Sequence, residues 1–235
     1  MGALLTKNQP CAINYAQLIE ESNLARILKE EHSEILAEEV SYSRSISMSP
    51  ENIHKNRYQN AFCFDHNRVI LPTEDGESDF INASHVDGHN IKGRFICCQA
   101  PIQETVQDFY RMVFAFQTRV IVMLTKIAEG GQERCVLYWS PKEGKSVVYG
   151  RFTVKTKKIK TFRHHVVTKL RVTDDSGASL DLKHFAYTDW PINRVPQNPT
   201  DFLNFMLLVR KAQLEAEFDN GSENFPPMVL SLIHI

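Results

Sequence analysis

Between residues 180 and 218 the chain carries strand, stiff loop and helix signals in immediate succession, and this unit constrains the fold more than any other stretch. Leu180, Leu182, His184 and Ala186 alternate with their neighbours at the period of a strand. Phe202, Phe205, Val209, Ala212 and Ala216 recur at helical spacing, predicting a helix over 201–218 with Thr200 as N-cap and Asp219, Asn220 and Gly221 as its stop. Between them, Tyr187 to Pro196 reads as a loop pinned by two prolines, with Trp190 at its hinge. Such a loop can move as a unit. Elsewhere Val120 to Leu124 is a short apolar run of the kind found in buried strands, and His165 to Val172 alternates as another. This mixture of strands and helices is that of an α/β protein, and 235 residues, 43 % of them hydrophobic, suffice for one sizeable core and a single domain.

The N-terminal fifth reads differently. Leu18, Ile19, Leu24, Ile27, Leu28, Ile35 and Leu36 recur at roughly helical spacing, predicting one or two amphipathic helices packed on the domain, and Ser41 to Pro50 is a Ser-rich loop. The expected division is a helical extension with its loop over 1–50 and the main domain over 51–235. Met1, Gly2, Ala3, Leu4, Leu5, Thr6 fits the pattern for myristoylation of Gly2, and a single acyl chain anchors only weakly.

A net charge of −1 gives no global attraction to nucleic acid or to an anionic membrane. Lys155, Lys157, Lys158 and Lys160 form a local basic patch, read as a solvated hairpin face, so no nucleic-acid partner is expected. Five cysteines without metal-type spacing or a signal peptide favour a reducing compartment, hence cytoplasm. His164 and His165 are adjacent in a strand pattern and point to opposite faces, so no shared metal site is expected. No apolar run approaches the ~18 residues of a membrane helix, so no transmembrane segment is expected.

From residue 52 onward a series of motifs falls in a fixed order. Lys55, Asn56, Arg57, Tyr58, Gln59, Asn60 is followed by Asp79 to Ser84, Phe95 to Pro101, Phe109 to Val113, Arg134 to Trp139, Tyr149 to Val154, the Trp190 loop and Phe225 to Val229. The series resembles the classical protein tyrosine phosphatases of the non-receptor type. With Ile192 after Trp190 and Pro191, it also resembles the divergent phosphatases carried by polydnaviruses of parasitoid wasps, which would place it in host-cell cytoplasm. Thr105 and Asp108 form a capping-box pattern ahead of the Phe109 helix. Arg134 to Trp139 resembles a strand, and Ala100 stands where the family has Gly, a change that strains the turn if positive φ is required.

The resemblance implies a highly twisted mixed sheet flanked by helices and no cofactor or metal. It implies substrate-binding positions at Tyr58, Asn60 and Arg57, with the Tyr58 ring stacking on a phosphotyrosine. Glu129, Arg134, Trp190 and Pro191 fall where the family braces its catalytic and acid loops. The general-acid position is occupied by Ile192, which has no proton to give. After Val229 the family's Cys, five residues and Arg are expected, and the chain instead reads Leu230, Ser231, Leu232, Ile233, His234, Ile235. None of Cys11, Cys63, Cys97, Cys98 or Cys135 has an Arg six positions on, so no catalytic residue is expected in this sequence. Two readings follow: a phosphotyrosyl-protein phosphatase sequence that stops before its nucleophile and is inactive as given, or a pseudophosphatase that binds phosphotyrosine-containing or other signalling proteins without turnover.

Overall fold

Val120 to Met123 is buried at all four positions, and because a strand turns successive side chains to opposite faces, Ile121 and Met123 enter one core while Val120 and Val122 enter another. The strand therefore belongs inside a sheet covered on both faces. The structure, a computed structural model, describes residues 24–37, 42–73, 76–191, 195–196, 198–220 and 226–232. Gly2 and residues 192–194 lie outside the described residues.

The strands in chain order are β1 (Arg68–Ile70), β2 (Phe80–Val86), β3 (Phe95–Gln99), β4 (Val120–Met123), β5 (Ala128–Glu129), β6 (Gln132–Glu133), β7 (Ser146–Tyr149), β8 (Phe152–Thr161), β9 (His165–Thr173), β10 (Ser179–Tyr187) and β11 (Met228–Leu232). Nine of them form one sheet in the order β1-β2-β3-β11-β4-β10-β9-β8-β7, and β5 pairs with β6 apart from it. The pairs β3–β11, β11–β4 and β4–β10 are parallel, and the flanking pairs are antiparallel. This is the twisted mixed sheet that the motif series implied.

The chain divides into two compact units, Met1–Tyr42 and Ser43–Ile235. Within the first, helix α1 (Leu24–Ala37) carries an Arg26–Glu30 pair at 2.7 Å, an exposed i,i+4 contact. The Ser-rich stretch falls largely in the second unit. Ser43 and Ser45 hydrogen-bond the Asp65 carboxylate, and buried Ser47 donates to the Cys63 carbonyl at 2.9 Å. In that unit helix α2 (Val106–Ala115) places Phe109, Tyr110, Met112 and Val113 in the core on one sheet face. Helix α3 (Pro199–Asn220) covers the other face with Phe205, Val209 and Ala212 against Val120, Phe185 and Tyr187.

Four local expectations are corrected. Arg134 to Trp139 lies outside any strand, because its backbone groups find other partners: Cys135 N–H donates to the Ile127 carbonyl, and the Leu137 and Tyr138 carbonyls accept from the hydroxyls of Tyr149 and Tyr110 at 2.9 and 2.7 Å. The Thr105 hydroxyl turns back to the Ile102 N–H at 3.2 Å, and Asp108 turns to Lys55 and Arg111, so no capping box joins Thr105 to Asp108. Helix α3 begins two residues early, at Pro199, since the Asn198 carbonyl oxygen of the side chain takes the Thr200 N–H at 3.0 Å and acts as the cap. Ala100 needs no left-handed backbone: among the described non-glycine residues positive φ occurs only at Gln117, so the exchange of Gly for Ala is unstrained there.

Candidate functional site

Beyond the 3-10 turn Ile53–Lys55 the Tyr58 loop has no regular structure of its own, so its shape depends on what holds it. Three of the sequence motifs supply the holders. Gln99, at the end of β3, donates to the Lys55 carbonyl at 2.7 Å and accepts the Arg57 N–H at 2.9 Å, as one amide bridging two backbone groups. Asn82, buried within the apolar run of β2, donates to the Asn56 side chain at 2.9 Å and to the Ala61 carbonyl at 2.7 Å. Asp108 on α2 accepts from the Lys55 ammonium at 2.9 Å and from Arg111 at 2.8 Å. The tether is therefore almost wholly polar and mostly buried, which fixes geometry more stringently than apolar contact does.

Arg57 belongs to the same scaffold. Its Nε donates to the Ala100 carbonyl at 3.0 Å and its Nη2 to the Pro101 carbonyl at 2.6 Å, which ties the loop to the end of β3. The guanidinium is thus committed to backbone. Tyr58 is half-buried and Asn60 exposed on the span between the Gln99 and Asn82 anchors. The sequence offered one signal for these anchors: Asn82 and Gln99 are amides inside otherwise apolar strand motifs, where an unpartnered polar group costs about 1–3 kcal/mol.

The bracing positions cluster elsewhere. Glu129 lies on the β5–β6 hairpin with its carboxylate 3.4 Å from Lys126, and the Arg134 N–H donates to the Ile127 carbonyl at 2.8 Å. A cavity of about 500 Å³ joins this hairpin to the stem of the Trp190 loop, with Lys126, Ile127 and Ala128 on one wall and Tyr187 and Thr188 on the other. Trp190 is half-buried, edge-on to Phe202 at 5.0 Å, so the hinge rests on the first turn of α3, and Pro191 beside it is also half-buried. His164 links Asp189, near the start of this loop, to Asp201 in the first turn of α3. The hydrogen bond from His164, followed by the His164 charge, a hydrogen bond from Thr188 and the Lys126 charge, holds the Asp189 carboxyl below the usual carboxylate range against its desolvation.

The thiols show a uniform pattern. Burial raises the pKa of Cys63, Cys97 and Cys98, and pushes Cys135 up to about 12 against the lowering effect of nearby Arg57. Among the described residues no cysteine is held in the ionised form that nucleophilic attack requires.

His184 is a separate buried titrating group. Its Nε2 lies 2.7 Å from the Tyr138 hydroxyl, its ring packs on Trp139 at 4.3 Å, and burial pushes its pKa down to about 3. The unfolded chain protonates this imidazole near pH 6.5 while the native state does not, so its contribution is complete above that pH and is lost on acidification until about pH 3. Stability is expected to fall by about 2 kcal/mol between pH 6.5 and 5 from this group, at about 1.4 kcal/mol per unit. Urea unfolding at a series of pH values tests it; a slope in that window no steeper for the parent than for His184→Gln would contradict it.

The comparisons with known proteins agree with this architecture. The Protein-tyrosine phosphatase family profile matches residues 52–231. Tyrosine phosphatase-like protein J1 of Microplitis demolitor bracovirus (isolate Webb) is 47 % identical over 225 residues, covering 95 % of this chain and 75 % of that protein. The crystal structure of the catalytic domain of human protein tyrosine phosphatase non-receptor type 18 superposes with a TM-score of 0.78 at 30 % identity, over 88 % of this chain and 74 % of that one. A structure of PTPN18 in complex with HER2 phosphopeptides superposes with a TM-score of 0.72 at 31 % identity, over 80 % of this chain and 68 % of that one. On the family match, the similarity to J1 and the shared fold, the chain belongs to the protein-tyrosine phosphatase family.

Proposed function

We propose that the 235-residue chain is a non-catalytic binding member of its family that engages phosphotyrosyl or other signalling proteins in the host-cell cytoplasm through the Tyr58 loop. The observation that carries this reading is the contrast within the site. The loop is held by Gln99, Asn82 and Asp108, while the four described cysteines are kept protonated by burial. Ile192, at the family's acid position, supports it. The HER2 phosphopeptides bound by PTPN18 support phosphotyrosyl proteins as the partner class. In this reading the Tyr58 ring stacks on a partner's aromatic ring, Asn60 contacts its backbone, and Arg57 anchors the loop rather than gripping the ligand. Glu129, Arg134, Trp190 and Pro191 brace the surrounding loops, and acylation at Gly2 would add a weak membrane contact.

Without a thiolate, a phosphoryl-binding guanidinium and an acid, the chain is expected to show no hydrolysis of an aryl phosphate or a phosphotyrosine peptide above a no-protein control. Turnover that disappears in Cys135→Ser would overturn the reading. Binding is expected to be modest, with calorimetry finding little difference between a phosphotyrosine peptide and its unphosphorylated twin. Tyr58→Ala is expected to weaken both by about 2- to 10-fold, the equivalent of a ring stack worth about 0.5–1.5 kcal/mol. A submicromolar preference for the phosphorylated peptide would mean that the chain still grips the phosphoryl group, against the expected loss of that grip though not against the partner class.

A further inference from the structure

Strict alternation along β8 would send Lys155 and Lys157 to one face of the sheet and Lys158 and Lys160 to the other. A bulge prevents this. Thr156 pairs with Leu170 but Lys158 pairs with Lys169, leaving Lys157 as the extra residue and moving the following residues over by one face. Lys155 then shares a face with Arg171, Lys158 with Lys169 and Lys160 with Val167, while Ile159 takes the opposite, apolar face beside Thr168. All four lysines of the hairpin are gathered on the side that carries α3.

There Lys157, Lys158 and Lys160 line one wall of a trench whose other wall is α3. It consists of two adjoining cavities of about 370 and 240 Å³ that share Lys169, Lys183, Ala212 and Glu215. The basic lining, Arg119, Lys157, Lys158, Lys160, Lys169, Lys183 and Lys211, faces two carboxylates. Both carboxylates are engaged: Asp181 by Arg171 at 2.6 Å and Lys157 at 3.7 Å, and Glu215 by Lys183 at 2.7 Å. Among the described residues none of Arg119, Lys158, Lys160, Lys169 and Lys211 forms a close ion pair: Arg119 lies only in the field of Asp181, and Lys169 and Lys211 only in that of Glu215. This local excess stands out on a chain of net charge −1, and a concave surface lined by one sign concentrates its field. The floor is apolar, with Val167, Phe185 and Ala212, and with Phe162 (49 % exposed) and Leu208 (37 % exposed) open to an incoming group.

We propose that this trench docks an extended acidic segment of a protein partner, one in which apolar side chains alternate with carboxylates. The carboxylates meet Lys158, Lys160 and the other basic groups of the rim, which outnumber its two acids, and the apolar side chains reach the Phe162 and Leu208 floor. A flat bilayer does not enter a trench walled by a helix, and a phosphate backbone leaves the apolar floor unfilled. The surface is separate from the Tyr58 loop and extends the proposed binding role to a second point of contact.

The test uses the whole chain and a fluorescent peptide, Glu-Leu-Asp-Phe-Glu-Leu-Asp, whose apolar side chains share one face when extended and which contains no tyrosine, so its outcome does not depend on the Tyr58 reading. Anisotropy is expected to show binding at least tenfold tighter than for the twin with Gln and Asn in place of Glu and Asp, and weakening as salt rises. It is also expected to be about threefold tighter than for the twin with Ser in place of Leu and Phe. Lys160→Glu and Lys211→Glu should each cost tenfold or more, with Lys158→Glu read in place of either one whose thermal melt shows it unfolded. Lys142→Glu, exposed and outside the trench, should cost less than twofold. Equal binding of the acidic and amide peptides, or equal loss in Lys142→Glu and Lys160→Glu, would overturn the proposal. So would displacement of the peptide at lower concentration by a single-stranded oligonucleotide or by phosphatidylserine vesicles.

Discussion

A chimera that keeps this chain through Val229 and continues with the catalytic loop and following helices of a related phosphatase is expected to bind phosphotyrosine and turn it over slowly, and Ile192→Asp is expected to accelerate that turnover by about 10²- to 10⁴-fold. The chimera supplies a thiolate and a phosphoryl-binding guanidinium, but with Ile192 the tyrosine oxygen must depart without a proton. The factor is the usual contribution of general acid catalysis, and it is realised only where Asn193 and Arg194 let the loop close. The leaving group separates the chemistry from the mechanics. A phosphorylated phenol acidic enough to depart unaided should respond little to Ile192→Asp, whereas phosphotyrosine should respond strongly. Equal rescue of both would mean that Ile192 obstructs closure, and no rescue of either would remove the acid reading altogether.

Asp108→Ala is expected to destabilise the folded domain by about 3–5 kcal/mol, a large share of the roughly 5–15 kcal/mol available to a domain. The carboxylate is 11 % exposed and sits between the ammonium of Lys55, 12 % exposed, and the guanidinium of Arg111, 3 % exposed. Arg111 retains Glu77 at 2.9 Å and the carbonyls of Pro72 and Ser78, so most of the loss falls on Lys55, left with the Phe80 carbonyl at 3.4 Å. Removing one partner strands a buried charge, whereas removing both does not, so Lys55→Met combined with Asp108→Leu should cost less than Asp108→Ala alone. Chemical denaturation of the single and double variants measures this. A single-variant loss below about 1 kcal/mol would mean that water reaches Lys55.

What the sequence made legible was much of what local period encodes within the described residues. The alternation at Leu180 to Ala186, the apolar run at Val120 and the helical spacing from Phe202 onward all became the elements expected of them. The failures came where a partner lies far along the chain. Asp108 looked like part of a capping box because Thr105 is three residues away, while its ion-pair partner Lys55 is 53 residues away and carries no local mark. Arg134 to Trp139 looked like a strand, but the hydroxyls that accept its role of ladder partner come from Tyr110 and Tyr149. In the candidate site, Tyr58 and Arg57 could be named from their motif, yet the split between them, one ring on the surface span and one guanidinium beneath it, is a property of the fold. The bulge at Lys157 is equally silent in sequence: a run of lysines reads as a solvated face until its register is known.

The position of β11 sets the order of events on the ribosome. Met228 to Leu232 is made after every strand it touches, yet it lies between β3 and β4, which do not pair with each other. At about 5–20 residues per second, roughly 10 s passes between synthesis of Gln99 and of Met228. Only after Tyr187 is made, for the last few seconds of that interval, can β1–β2–β3 and β4–β10–β9–β8–β7 exist as two half-sheets, each with an unpaired inner edge awaiting β11. The sheet therefore closes from its middle, when β11 enters between two edges formed before it.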